Sequence, residues 1–300
     1  MIAGIDPVDW LRAMFGHDFI RHAFLAGTVI ALSAGLVGYF VVLRNQVFTG
    51  DALGHVAFTG AVASLAVGIE PLLGLYASTV LGAVGMGALG QGARARGRDV
   101  VIGTVFAWIL GLGVLFLSLY TTSRSSANGA AGVNVLFGSI YGISLQQSLI
   151  ATAVGGAASL ALLLISRPLL FASIDPEVAA ARGLPVRLLG LGFMVLVGVV
   201  VAEAVQAVGA LLILALMVTP AATAHRLSTR PYRALALSAA LGLVVLWAGL
   251  TLSYAFQRVP PSFLVVALAF AIYLVVTAVL RLWALSTARR ARPGVAAASV

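Results

Sequence analysis

Between Leu188 and Val208 the chain offers one ionisable side chain, Glu203, and stretches almost as free of charge recur along most of its length. A helix needs about 20 consecutive apolar residues to cross the hydrocarbon core of a bilayer. Runs of that kind lie near residues 22–43, 52–69, 71–90, 100–120, 145–166, 187–205, 207–226, 233–256 and 260–282. They predict an all-α polytopic membrane protein of about nine transmembrane helices, or eight if one is incomplete, because a helix closes its own backbone hydrogen bonds in lipid. The second run is short and glycine-rich, and only residues 206–209 divide the sixth from the seventh, so either can be a half-helix or a kinked segment. With 61% hydrophobic residues over 300 positions, no stretch is left for a separate soluble domain, and residues 1–300 read as one membrane domain.

The charged residues then act as topology markers. All 18 basic residues are arginine and they punctuate the apolar runs instead of forming a stripe, which argues against a nucleic-acid partner. Without lysine there is no Walker A, Schiff-base or kinase-type lysine, so the chain is not a conventional P-loop ATPase. Without cysteine there is no disulfide framework, thiolate metal site or thiol nucleophile. If Arg281, Arg289, Arg290 and Arg292 hold the C-terminal tail (283–300) in the cytoplasm, alternation over nine spans also places Arg44, Arg94, Arg96, Arg98, Arg167, Arg182, Arg187, Arg226, Arg230 and Arg233 inside. Only Arg12, Arg21, Arg124 and Arg258 fall outside, and the N-terminal segment 1–21 is then external. That segment carries Asp6, Asp9 and Asp18 and lacks signal-peptide architecture, so it is expected to be retained.

Two connections are long. The external one, 121–144, contains Val135 to Phe137, an apolar patch expected to form a short surface helix facing a partner. The cytoplasmic one, 167–187, has start and stop signals for a helix of about two turns: Asp175 as cap, Pro176 at the first position, then Gly183 and Pro185 as terminators. Pro220, within Met217 to Ala224, is expected to kink its helix by removing an amide donor.

Ionisable groups inside apolar segments carry the chemistry, since charge is costly in a bilayer. Asp51 and His55, in Thr49-Gly-Asp-Ala-Leu-Gly-His55, are four residues apart and share one helix face. A carboxylate and an imidazole suit zinc or manganese, although spacing alone equally fits an N-cap aspartate and an interfacial histidine. Glu203, with Gln206 one turn later, is either a tentative metal-path group facing a cavity or a carboxyl hydrogen-bonded to a neighbouring helix. His225 reads as a snorkelling or capping residue at the inner interface, and Glu70 as solvated. No zincin spacing, nucleophile elbow or other catalytic constellation is present in the sequence, so an enzyme is not expected.

Three segments in order resemble the permease subunit of the bacterial ATP-binding-cassette importers for zinc and manganese. The helix ending Val41-Val42-Leu43-Arg44 is followed by GDALGHVAFTG, Gly50 to Gly60; DPEVAAARGLPVRLLG, Asp175 to Gly190, is similar to the family's ATPase contact; and Ala204 to Ser228 resembles its most recognisable membrane segment. The resemblance implies a multi-pass permease of the bacterial plasma membrane, paired with a second copy, a separate ATPase subunit and an extracytoplasmic metal-binding protein. It implies a metal path at Asp51 and His55 and an ATPase-coupling segment carrying Asp175, Glu177, Val178, Arg182, Gly183 and Leu184. It implies no tightly bound cofactor, the ion being cargo. Thr59 stands where the family commonly has proline.

Nitrogen ligation leans towards zinc and carboxylate ligation towards manganese, with a slight preference here for zinc. A permease for haem, siderophore or cobalamin is the nearest rival, needing a wider vestibule. A proton-driven secondary transporter using Glu203 is a different class, and an intramembrane metalloenzyme built from Asp51, His55 and Glu203 a more distant one.

Overall fold

A computed structural model describes residues 7–89, 95–123, 136, 138–210, 213–256 and 258–290. It is all-helical across them apart from turns and one 3-10 turn at Ile140–Gly142. The helices are α1 (Pro7–Phe15), α2 (Asp18–Leu43), α3 (Val47–Val67), α4 (Pro71–Leu89), α5 (Ala95–Ser123), α6 (Leu145–Ile174), α7 (Pro176–Ala181), α8 (Val186–Val208), α9 (Ile213–Leu227), α10 (Pro231–Ala255) and α11 (Pro261–Arg290). Among the described residues, eight of them are long and apolar enough to cross a membrane, and α9 is a shorter apolar helix. The incomplete helix is therefore the seventh run, while the second forms a full-length helix of 21 residues.

The ends differ from the expected ones where an apolar run outlasts a charge. α2 starts at Asp18, and α6 continues past Arg167 and Pro168 to Ile174. The cytoplasmic connection thus shortens from the expected 167–187 to the segment around α7, because Leu169 and Ala172 are buried and keep the helix going. α9 runs through Pro220 to Leu227. The surface helix expected at Val135 to Phe137 falls outside the described residues except for Leu136, which is helical.

α2 occupies the middle of the bundle, buried from Ile30 to Val41 except at Leu32, and packs on α6, α8, α9 and α10. Small residues set these distances, as they do where van der Waals contact must replace a hydrophobic driving force. Gly35 sits against the α10 backbone, where an added Cβ would lie 2.7 Å from Ala239 Cα and 2.8 Å from the Ser238 carbonyl oxygen. Ser238 Oγ closes the same crossing by donating to Gly35 O at 2.5 Å. α5 and α11 lie at the edge and present Trp108, Val114, Leu282 and Trp283 outward, as lipid-facing helices do.

Candidate metal path and coupling segment

α3 begins with a stiff foot. Asn45 takes a left-handed φ of 52°, and the Gln46 amide donates back to Val41 O at 2.8 Å, so α2 turns into α3 within three residues. The following sequence interleaves two stripes, each with a four-residue repeat. Gly50 and Gly54 face α9: an added Cβ would lie 2.6 Å from Met217 Cε at the first and 3.2 Å from Ala210 O and Ile213 Cγ2 at the second. Asp51 and His55 stand one residue on, roughly 100° further round the helix, and both are half-buried. His55 meets the edge of Phe106 on α5, with ring centroids 5.1 Å apart. The short helix thus fits against α3 because glycine leaves room for it, and the ligand-type side chains flank that contact.

Farther along, α3 crosses α4 through a matched pair of small-residue motifs, Gly60/Ser64 on α3 and Gly74/Ser78 on α4. Ser78 Oγ donates to Val56 O across the crossing at 3.0 Å. Thr59 donates its hydroxyl to Ile109 O of α5 at 3.1 Å, so this departure from the family pattern supplies an interhelical hydrogen bond.

Glu203 is fully buried in α8. The Tyr76 hydroxyl of α4 donates to Oε1, Gln206 Nε2 donates to the Tyr76 oxygen at 3.4 Å, and Oε2 has no hydrogen-bond partner among the described residues. Gln206 also lines a cavity of about 190 Å³ shared with Glu70, Gln147 and Leu75. The structure does not gather Glu203 with the Asp51–His55 pair: among the described residues no three His, Asp or Glu side chains form a group that could hold a metal. Tyr76, its partner 127 residues away in sequence, carried no signal of that role.

At the end of the bundle that holds Arg44, Asp175 caps α7 by accepting from the Val178 amide at 3.0 Å, with Pro176 at the first turn. Gly183 at φ 82° and the Leu184 amide on Ala179 O, 3.1 Å, end it. α7 has six residues; Glu177, Val178 and Arg182 are exposed, Leu184 is half-buried, and Ala179 anchors the turn to the bundle. Nearby, His225 stacks flat on Tyr39, centroids 4.5 Å apart, with Nε2 3.2 Å from Tyr39 O, a packed role that its interfacial position alone did not reveal.

A bundle of long apolar helices, with a short capped helix exposed at one end, defines a polytopic membrane protein. Residues 16–280 match the ABC 3 transport family, and the chain belongs to it: a multi-pass, non-catalytic membrane component of an ABC transporter, consistent with the bacterial plasma membrane. It is 30% identical over 240 residues to the manganese transport system membrane protein MntC of Halalkalibacterium halodurans, covering 80% of each chain. It is 30% identical over 261 residues to the manganese import system permease protein ScaB of Streptococcus gordonii, covering 87% of this chain and 91% of that one. Among solved structures, PsaBC from Streptococcus pneumoniae in complex with Fab superposes with a TM-score of 0.77 at 28% identity, over 90% of this chain and 94% of that one.

Proposed function

We propose that this chain is the membrane-spanning subunit of an importer for a divalent metal ion, with Asp51 and His55 as the protein ligands on the path. The observation that carries the reading is the placement of that pair: a carboxylate and an imidazole one turn apart, half-buried, beside glycines that bring a short helix against the same helix. Two ligands are too few for a dication that has shed part of its water, since such ions take roughly four to six. A second copy of the chain supplies the matching pair across a twofold axis, and water completes the shell. Manganese becomes the first choice over zinc, because the relatives named above are manganese systems and a carboxylate suits that ion.

A separate ATPase subunit drives the cycle by docking on α7, with Asp175, Glu177, Val178, Arg182, Gly183 and Leu184 forming the contact. The exposure of Val178 on a helix too short to be stable alone supports this, since such a helix is held by what it packs on. An extracytoplasmic metal-binding protein delivers the ion to the opposite end; the arginine bias, counted over nine crossings, supports an external N-terminus and a cytoplasmic C-terminus. Glu203 is assigned to fastening α8 to α4 through Tyr76.

The test is manganese and zinc uptake by vesicles holding the permease, its ATPase and its binding protein. Asp51→Ala and His55→Ala each abolish uptake while the ATPase still co-purifies. Normal uptake by both variants would sink the metal role, and uptake that survives inactivation of the ATPase would favour the proton-driven alternative.

A further inference from the structure

The α2 end at Arg44 is where the coupling segment and the metal-path helix meet. The Arg44 amide closes the last turn of α2 on Phe40 O at 2.9 Å. Its guanidinium reaches across to both helices that flank α7, α6 and α8. Nη1 donates to Ser173 Oγ at 3.1 Å, two residues before the cap Asp175, and Cζ lies 5.4 Å over the ring of Phe193, in the second turn of α8. Phe193 is fully buried and packs edge-on against Phe40 of α2, centroids 6.0 Å apart, so the stack rests on a firm base. On the other side, Arg44 begins the three-residue foot of α3, and Asp51 follows within two turns.

We propose that Arg44 is the positioning residue that passes movement of α7 to α3, and so to Asp51 and His55. The inference rests on the importer reading and adds the route by which the ATPase acts on the metal path. Two features make the route stiff. The α2–α3 turn is fixed by the left-handed Asn45 and by the Gln46 amide on Val41 O, with Gln46 itself buried. The guanidinium, planar and with donors in fixed directions, holds a hydroxyl and an aromatic face at once, which a lysine ammonium on a flexible stem does not. A displacement of Ser173 or Phe193 is therefore transmitted to the foot of α3.

The experiment uses the complete complex in vesicles and measures ATP hydrolysed per metal ion moved. Arg44→Gln and Arg44→Lys are expected to raise that ratio by about tenfold, the scale of an ordinary coupling free energy, while hydrolysis and ATPase co-purification are retained. Ser173→Ala, which keeps the stack and loses the hydrogen bond, is expected to raise it by less. A ratio unchanged in Arg44→Gln overturns the proposal, as does rescue by Arg44→Lys, which would make the role one of charge. If Arg44→Gln fails to assemble, Ser173→Ala decides alone, and a normal ratio in it overturns the proposal.

A second readout separates this inference from the metal reading. The chain has no cysteine, so spin labels at Phe48→Cys, in the first turn of α3, and Ala180→Cys, both exposed positions, report on the two ends without background. Through the nucleotide cycle their separation is expected to stay narrow with Arg44 present and to broaden in Arg44→Gln. Equal distributions with and without Arg44 overturn the proposal even if Asp51→Ala abolishes uptake, and broadening sustains it even if the cargo is not the metal proposed.

Discussion

The crossing of α3 and α4 gives the sharpest stability prediction. At Gly60 an added Cβ would overlap Ser78 Oγ and the Gly74 carbonyl oxygen, and the reverse substitution at Gly74 would overlap Ser64 Oγ and the Gly60 carbonyl. A carbonyl in a helix cannot rotate away, so Gly60→Ala must push the two helices apart. Overpacking of this kind costs about 1–3 kcal/mol, whereas alanine at an open helical glycine gains about 0.5–1 kcal/mol. Gly85, also on α4, has nothing within 4 Å of such a Cβ and is the internal control. Gly198 falls between them: its Cβ would lie 2.9 Å from the Thr79 carbonyl oxygen and 3.1 Å from Ala83 Cβ. The expected gap between Gly60→Ala and Gly85→Ala is therefore roughly 1.5–4 kcal/mol, on the order of 10- to 700-fold in the folding equilibrium at 1.4 kcal/mol per tenfold. Reversible unfolding in mixed micelles with rising SDS measures it, with the order of stability Gly85→Ala, Gly198→Ala, Gly60→Ala. If Gly60→Ala is as stable as Gly85→Ala, the close crossing is not what holds α3 in place. Because α3 also carries Asp51 and His55, Gly60→Ala should in addition weaken metal uptake without touching either ligand.

Three further outcomes follow from the same geometry. Asp175→Ala removes the cap of α7, costs about 1 kcal/mol locally, and should reduce ATPase co-purification; undiminished retention of the ATPase would mean that α7 does not need its cap to dock. Charge reversal at Arg182 together with Val178→Asp should detach the ATPase or uncouple its hydrolysis while binding of the external metal-binding protein stays intact, and normal ATPase stoichiometry with normal uptake would exclude α7 as the contact. For the buried tie, Tyr76→Phe strips Glu203 of its donor, and a double-mutant cycle with Glu203→Leu should give a coupling energy of about 0.5–3 kcal/mol in the unfolding assay; strictly additive effects would dissolve the tie.

The sequence carried the parts of this fold that depend on length and period. Apolar runs give the crossings because the bilayer sets their length, and the cap and stop residues of α7 act within a few positions of one another. What crosses between helices was not visible in the same way. The run 187–205 announces a buried carboxylate, yet nothing in it names Tyr76 as the donor, because the partners are set by how α4 and α8 meet. His225 beside an arginine looks interfacial, and only the approach of α2 turns it into a stacked partner of Tyr39. The end of α6 was misplaced for a related reason: Arg167 suggests a boundary, but Leu169 and Ala172 find cover against the bundle and the helix continues to Ile174.

α3 is the element on which these strands converge, because its faces have been given different tasks. Gly60 and Ser64 lock it to α4, Gly50 and Gly54 let the short α9 lie close, Thr59 ties it to α5, and Arg44 holds its foot to Ser173 and Phe193. The sector left between α9 and α5 is where Asp51 and His55 stand, neither sealed in the core nor fully exposed. A carboxylate left facing hydrocarbon is costly, so that sector requires water, cargo or another protein surface against it. The second copy proposed above would meet the requirement and double the ligand count in one step. The contacts with α4, α9 and α5 also fix the direction of the pair, so on the importer reading proposed above a displacement at the foot of α3 re-aims both side chains together.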